Sequence, residues 1–300
     1  MNIKMTKAED GKVLRLFLTD TLGLSARAIS SLKKRADGIL LNGTHATVRA
    51  VLHEGDELSL SFLDTKDAEN EALTPEDLPL DILYEDDCIC VCNKPSGMPT
   101  HPSLRHRHDT LANALAYYYR GAPYVFRAVN RLDKDTSGVV LTAKNAFAAA
   151  KLSEAMKKGE IKKEYLAIAH GITSKHGEIT DPIRRACDSI ILREVCREGD
   201  KGAEGAITLY EKLTSSDCQS LLRVHPITGR THQIRVHMAS VGHPLVGDVL
   251  YGKGDGASRL ALHAYSLSFP HPITGKTLCV TAPIPSFFFD VLPSLCALTL

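Results

Sequence analysis

The chain has no tryptophan and almost no net charge: 36 lysines and arginines stand against 35 aspartates and glutamates, a formal +1. That balance excludes binding of a polyanion through overall charge, so any such binding must come from local clusters of Lys and Arg. No apolar run is long enough to span a bilayer. The first eleven residues are polar and lack the apolar core of a signal peptide, so a cytosolic protein is expected. Cysteine is present, 8 in all, but without the spacing of a disulfide framework or a zinc finger, and the thiols are expected to be reduced. Cys88, Cys90 and Cys92 alternate with Ile89 and Val91, which puts all three thiols on one face of a strand. Small core residues are the expected reading, and three thiolates around a soft metal are the alternative. There are no internal repeats and no low-complexity tracts.

What remains is an ordinary globular composition, 44% hydrophobic and 24% charged over 300 residues, enough for one large domain or two. The pattern points to two. Residues 1–63 read as a small helix-helix-strand unit. Val13, Leu14, Leu16, Phe17 and Leu18 begin a helix that stops near Gly23, and Ser25 suits the N-cap of a second. That second helix turns Ile29 and Leu32 inward and carries Arg27, Lys33, Lys34 and Arg35 outside. Ile39, Leu40 and Leu41 then enter a tight Asn42-Gly43 turn, and 57–62 alternates as a half-buried strand does. Residues 64–79 are acidic, poor in apolar residues and contain Pro75 and Pro79, the composition of a linker. From 80 to 300, strands and helices mix without the regular alternation of a doubly wound sheet, so an α+β domain is expected. Its clearest elements are a helix over 143–158 closed by Gly159, strands over 162–168 and 221–224, and a helix over 233–241.

Four segments of this second domain could carry chemistry. Asn93-Lys94-Pro95-Ser96-Gly97 makes a fixed turn after the strand of Cys88 to Cys92. Asn130-Arg131-Leu132-Asp133-Lys134-Asp135-Thr136-Ser137-Gly138 sets one acid beside an arginine on a loop, with apolar stretches at 125–129 and 139–141 reading as flanking strands. Lys162-Lys163-Glu164-Tyr165 places a tyrosine behind two lysines, and Gly229-Arg230-Thr231-His232-Gln233-Ile234-Arg235 joins a glycine turn to two arginines. A surface turn accounts for the Asp133 loop equally well when it is taken alone. His101, His106 and His108 lie with Arg105 and Arg107 in a basic loop that faces phosphate or simply water.

Taken in order, these four segments resemble the signature of RNA pseudouridine synthases of the RluA type. That signature has a lysine-proline-x-glycine turn, an HRLD-x-x-TSG loop, a lysine-x-tyrosine strand and a GR-x-HQ-[IL]-R-V-H segment. The unit at 12–62 resembles the ribosomal-protein-S-four-like RNA-binding domain. The resemblance implies a curved, mostly antiparallel mixed sheet with a central cleft. It implies RNA as partner, ribosomal RNA rather than tRNA, no cofactor and no metal, and a cytoplasmic monomer. It assigns Asp133 as the essential aspartate and Tyr165 as the ring stacked on the flipped base. It makes Arg235 the partner of the aspartate, Arg131 the side chain that enters the RNA where the base has left, and Leu262 a wall of the uracil pocket. Arg230 falls near the substrate. Lys94, with Arg105, Arg107 and the basic residues of the second helix, is expected to hold phosphates. One position departs: Asn130 stands where the family usually has histidine. It keeps a hydrogen bond but cannot be protonated, and with Asp133 intact, activity is expected to survive.

The chemistry suits these residue types. Uridine must be detached at nitrogen 1, turned and rejoined through carbon 5, which adds and removes no atom overall. A carboxylate beside the sugar serves as nucleophile or base, a nearby guanidinium favours charge on that acid, and the base must first leave its stack. Two other classes stay open on the sequence alone. One is an RNA-binding protein without catalysis. The other is a carboxylate-dependent glycosidase, which needs a second positioned acid; Asp135 is too close in sequence to serve across a scissile bond.

Overall fold

The computed structural model describes residues 2–24, 26–62, 73–122, 124–187, 189, 191–252 and 254–293, without the side chain of Arg27. The expected Ser25 N-cap, the orientation of Arg27, the first part of the acidic stretch and the last seven residues of the tail lie outside these.

The N-terminal unit begins with strand β1 (Asn2–Lys4), then helix α1 (Leu14–Leu16), which passes directly into a π-helical turn over Phe17–Thr21, then helix α2 (Ala26–Lys33). Strands β2 (Ile39–Leu41), β3 (Thr44–His45) and β4 (Glu57–Leu60) follow. The four strands form one antiparallel sheet in the order β1-β4-β2-β3. Asn42 and Gly43 both take positive φ, 54° and 77°, as the tight hairpin requires. Leu14, Phe17, Leu18, Ile29, Leu32, Ile39 and Leu58 build its core, and Phe147 of the larger unit joins that core. Phe62 stacks on Phe147 with ring centroids 4.6 Å apart, so the small unit has an aromatic seat on its neighbour. Residues 73–79 form no strand or helix; they run along the larger unit, where Glu76 N–H bonds Asn113 O and Asn113 Nδ2 bonds Thr74 O.

The larger unit holds β5 (Ile82–Glu85), β6 (Ile89–Lys94), α3 (Leu111–Tyr118), β7 (Ser137–Ala143), α4 (Ala146–Lys157), β8 (Lys162–His170) and β9 (His176–Ile179). A small hairpin of β10 (Ile183–Arg185) and β11 (Arg193–Val195) stands apart. Then come β12 (Thr208–Ser215), β13 (Gln219–Pro226), α5 (Gln233–Ser240), β14 (Leu262–Pro270), β15 (Thr277–Thr281) and α6 (Ser286–Val291). Nine strands make one mixed sheet in the order β5-β6-β7-β14-β8-β13-β12-β9, with β15 on β14, and every pairing but β7 with β14 is antiparallel. With few helices around this sheet, the fold is α+β. Helix α4 starts after Asn145, whose side chain accepts from Ala148 N, and ends before Gly159 at φ +69°.

Three expectations need correction. The first helix is one turn of α-helix closed by a π turn, because Leu22 N–H reaches back to Phe17 O. The stretch 125–129 is not a strand: it touches β7 through a single bridge, Ala128 to Thr142, and two backbone bonds. Asn130 then completes that edge with its side chain, donating from Nδ2 to Val139 O at 3.1 Å and accepting from Leu141 N at 2.8 Å. An amide offers both a donor and an acceptor, so it stands in for a missing strand residue. The structural role of the position where the family usually carries histidine is therefore visible. Of the three alternating thiols, Cys90 and Cys92 share a face with sulfurs 3.6 Å apart, while Cys88 precedes the strand and joins a different core.

Candidate active site

The loop over 130–136 is pinned along its backbone by the turn after β6. Thr100 Oγ1 accepts from Leu132 N at 3.1 Å and donates to Leu132 O at 2.9 Å. Gly97 N and Lys94 Nζ both donate to Lys134 O, and Ser96 Oγ donates to Asp135 O at 2.7 Å. The loop closes on itself through Thr136 N to Asp133 O. The Asp133 side chain takes no hydrogen bond or ion pair among the described residues and lines an open cavity of about 670 Å³. The scaffold thus fixes the acid's backbone and leaves its oxygens free.

Tyr165, Leu262, Arg235, Arg131 and Arg230 line that same cavity. Tyr165 sits in β8 between Val224 of β13 and Ala264 of β14, and is 9% exposed. Leu262 opposes Ala167, so it lies diagonal to Tyr165 on one face of the sheet. Burial, with the charge of Asp133 added, pushes the Tyr165 hydroxyl well above the ordinary tyrosine range, so the ring stays a neutral aromatic surface. Asp133, Tyr165 and Leu262, which the resemblance singles out, line one cavity.

Arg235 lies 2% exposed on α5, and its direct partner is not Asp133 but Asp248: Nε donates to Oδ2 at 2.8 Å and Nη2 to Oδ1 at 2.6 Å. The Asp248 carboxylate also accepts from Leu250 N and Tyr251 N. Burial opposes charge on Arg235, but the hydrogen bonds and charge of Asp248, and beyond them the charge of Asp133, outweigh it and raise its pKa. The guanidinium therefore acts on Asp133 through the field rather than by a bond. Arg131 reaches across the mouth to Thr231 Oγ1 at 3.0 Å, and Arg230 is tied to Glu204 at 2.6 Å and to Gly205 O.

Lys94 is corrected. It is 0% exposed, and its ammonium donates to three carbonyls, Pro95 O, Met98 O and Lys134 O, at 2.6–3.1 Å. Buried and occupied, it braces the Asp133 loop and cannot meet a phosphate. Burial lowers its pKa to about 7, against the opposing pull of Asp133 and Asp135. An unfolded lysine titrates near ~10.4, so between these values the unfolded chain binds more protons and stability rises with pH. Chemical denaturation at pH 7.5 and 9.5 is expected to show this rise in the native protein and to lack it in Lys94→Met. The other loop candidates are partly occupied: His106 pairs with Asp109 and His108 with Glu76, while Arg105 and Arg107 are exposed. Lys33 and Lys34 are exposed, and Arg35 pairs with Asp37.

Sequence reasoning missed three neighbours. His232 caps α5 in the left-handed region (φ 58°), and its Nδ1 meets the Tyr251 hydroxyl at 2.8 Å. Lys163, two residues before Tyr165 and on the same face, lines the cavity, and burial lowers its pKa. Asp248, the anchor of Arg235, ends the Gly-His-Pro-Leu-Val-Gly-Asp run that follows α5, and the lone acid of that run was the available signal.

One carboxylate without a hydrogen-bond partner among the described residues shares a cavity with an aromatic ring and a leucine, rimmed by arginine and lysine. Comparison with known proteins gives the class. The RNA pseudouridylate synthase family matches residues 89–240. The chain is 41% identical over 268 residues to Uncharacterized RNA pseudouridine synthase YjbO of Bacillus subtilis, covering 88% of this chain and 93% of that one. It is 40% identical over 237 residues to Ribosomal large subunit pseudouridine synthase D of Haemophilus influenzae, covering 73% and 72%. Among solved structures, Human RNA Pseudouridylate Synthase Domain Containing 1 superposes with a TM-score of 0.58 at 32% identity, over 73% of this chain and 87% of that one. The chain belongs to the RNA pseudouridylate synthase family and is an RNA isomerase.

Proposed function

We propose that this enzyme converts specific uridines of large-subunit ribosomal RNA to pseudouridine in the cytoplasm, as a monomer, with Asp133 as the essential carboxylate. The observation that carries the reading is the single cavity shared by Asp133, Tyr165, Leu262 and Arg235. Asp133 acts at the glycosidic bond as nucleophile or base. The bond from the sugar to nitrogen 1 breaks, the ring turns while held between Tyr165 and Leu262, and the sugar joins carbon 5 as the carbon 5 proton is exchanged for one on nitrogen 1. Cations around the cavity favour the negative charge that builds on the departing uracil. Arg131, exposed at the mouth, fills the gap in the RNA. Large ribosomal RNA is favoured over tRNA by the activity in the names of relatives such as the Haemophilus influenzae protein.

The residue ranges 1–63, 64–79 and 80–300 divide the work. The first is an RNA-binding unit of the ribosomal-protein-S-four-like kind, contacting phosphates with Lys33, Lys34 and Arg27. A second basic surface adjoins the active site: Arg131, Arg184, Arg185, Arg193, Lys201 and Arg230 line a cavity of about 350 Å³ beside the β10–β11 hairpin. Arg184 and Arg230 are neutralised by Glu194 and Glu204, and Arg185 and Lys201 stand exposed. RNA flanking the target uridine follows this surface. RNA affinity is expected to fall steeply with salt, and Arg185→Gln is expected to shallow the log–log slope by about 0.7 for a single strand, as fluorescence anisotropy across salt concentrations would show.

The deciding experiment is chemical labelling of pseudouridine in ribosomal and transfer RNA from cells with and without the gene. Loss of defined sites in the large ribosomal RNA supports the reading. Loss confined to tRNA refutes the substrate, and no loss anywhere refutes the assignment.

A further inference from the structure

The nine-stranded sheet is joined in the middle by very little. β7 and β14 pair at two positions only, His263 with Ser137 and Ala264 with Gly138. The rest of that edge of β7 is taken by residues 127–130. This seam runs through the active site. Asp133 belongs to the half built from β5, β6 and β7. Tyr165 and Leu262 belong to the other half, on β8 and β14, and Arg235 follows on α5 after β13. Apolar side chains pack across the seam, and with two ladder pairs they set the register, but such packing is non-directional and leaves the strand ends little held.

A chain of directional side-chain bonds adds a hold at this point. Arg259 Nη2 donates to Ser137 Oγ at 2.6 Å, and Ser137 Oγ lies 2.8 Å from His263 Nδ1. Ser137 is four residues after Asp133; His263 directly follows Leu262; Arg259 comes three residues before it. Ser137 accepts from the guanidinium and so has its own hydrogen to give to His263. Burial lowers the His263 pKa to about 4, so the imidazole is neutral, and in the tautomer protonated at Nε2 the Nδ1 atom accepts it. Among the described residues no carboxylate pairs with Arg259, so its charge is not spent elsewhere; its guanidinium lies 5.7 Å from the Phe287 ring centroid. At Gly138 (φ +113°) an added Cβ would lie 2.2 Å from Ala264 O, so the strands meet there with no room for a side-chain link of another kind.

We infer that Arg259 and Ser137 are positioning residues that clamp the Asp133 half of the sheet to the half that holds the base, through the chain Arg259–Ser137–His263. The inference rests on the proposed role of Asp133 and adds what fixes that acid against Tyr165 and Leu262.

Ser137→Ala, Arg259→Met and Arg259→Lys test it in the full-length protein, with two readouts. In single-turnover and steady-state assays, the Ala and Met variants are expected to lose about tenfold or more in kcat, as small misplacements of a reacting group do, with KM within twofold and Lys recovering part of the loss. In amide hydrogen exchange, residues 133–138 are expected to exchange faster in Ala and Met while β8 stays protected. Unchanged kcat in both variants overturns the clamp. So does a loss of kcat explained by global unfolding, with exchange rising equally throughout the sheet. The exchange readout separates the two ideas. If the native protein forms no pseudouridine, the reaction assignment fails, and the clamp still stands or falls on whether 133–138 loosen selectively.

Discussion

Asp133→Asn is expected to abolish pseudouridine formation, with a loss of at least about three orders of magnitude for removal of a covalent or basic catalyst, while RNA affinity stays within about twofold. The geometry explains the split. The backbone of the Asp133 loop is held by Thr100, Lys94, Ser96 and Gly97, none of which bonds the side-chain carboxylate. An amide of the same shape therefore leaves the loop, the cavity and the basic rim in place and removes only the carboxylate charge that the proposed reaction uses. Release of tritium from RNA labelled at carbon 5 of uridine, or mass-tagged pseudouridine mapping, reads the activity, and anisotropy reads the binding. Equal, non-zero product from variant and native enzyme would remove Asp133 from the reaction. Free uracil released from RNA would favour the glycosidase class instead.

The parts of this site legible in the sequence were those set by residue type at short range. Asp133, Tyr165 and Leu262 were singled out by the resemblance of their short motifs to the family signature, and each lies on or beside a strand of the large sheet. What stayed hidden was partnership over long range. Lys94 reads as a surface cation because lysine is rarely buried, and only the fold shows three carbonyls converging on it. Arg235 was expected to bond Asp133, yet Asp248, 13 residues on, takes its fork. The flanking strand at 125–129 failed for a related reason: its apolar residues do pack against β7, but an asparagine side chain completes the edge in place of a ladder. The small parallel contact between β7 and β14, which decides how the two halves meet, leaves no periodic trace, since it is made over two residue pairs 126 positions apart.

The Arg235–Asp248 pair should dominate stability in a way that separates from catalysis. Asp248→Asn leaves the Leu250 and Tyr251 amides with an acceptor but strands a guanidinium that is 2% exposed, and removing one partner of a buried pair costs about 3–5 kcal/mol. Arg235→Met in the Asp248→Asn background takes away the stranded charge and fills similar space, so much of that loss should return in urea denaturation. Catalysis should not return with it. Arg235 lines the cavity that also holds Asp133 and is a buried cation whose charge Asp133 helps to keep, so the restored double variant lacks a positive charge at the proposed reaction site. A stable, RNA-binding and catalytically poor double variant is the expected result. If the double variant regained full activity along with its stability, Arg235 would be a structural strut alone, and the positive charge the reaction uses would be that of Lys163 or Arg131 at the same cavity.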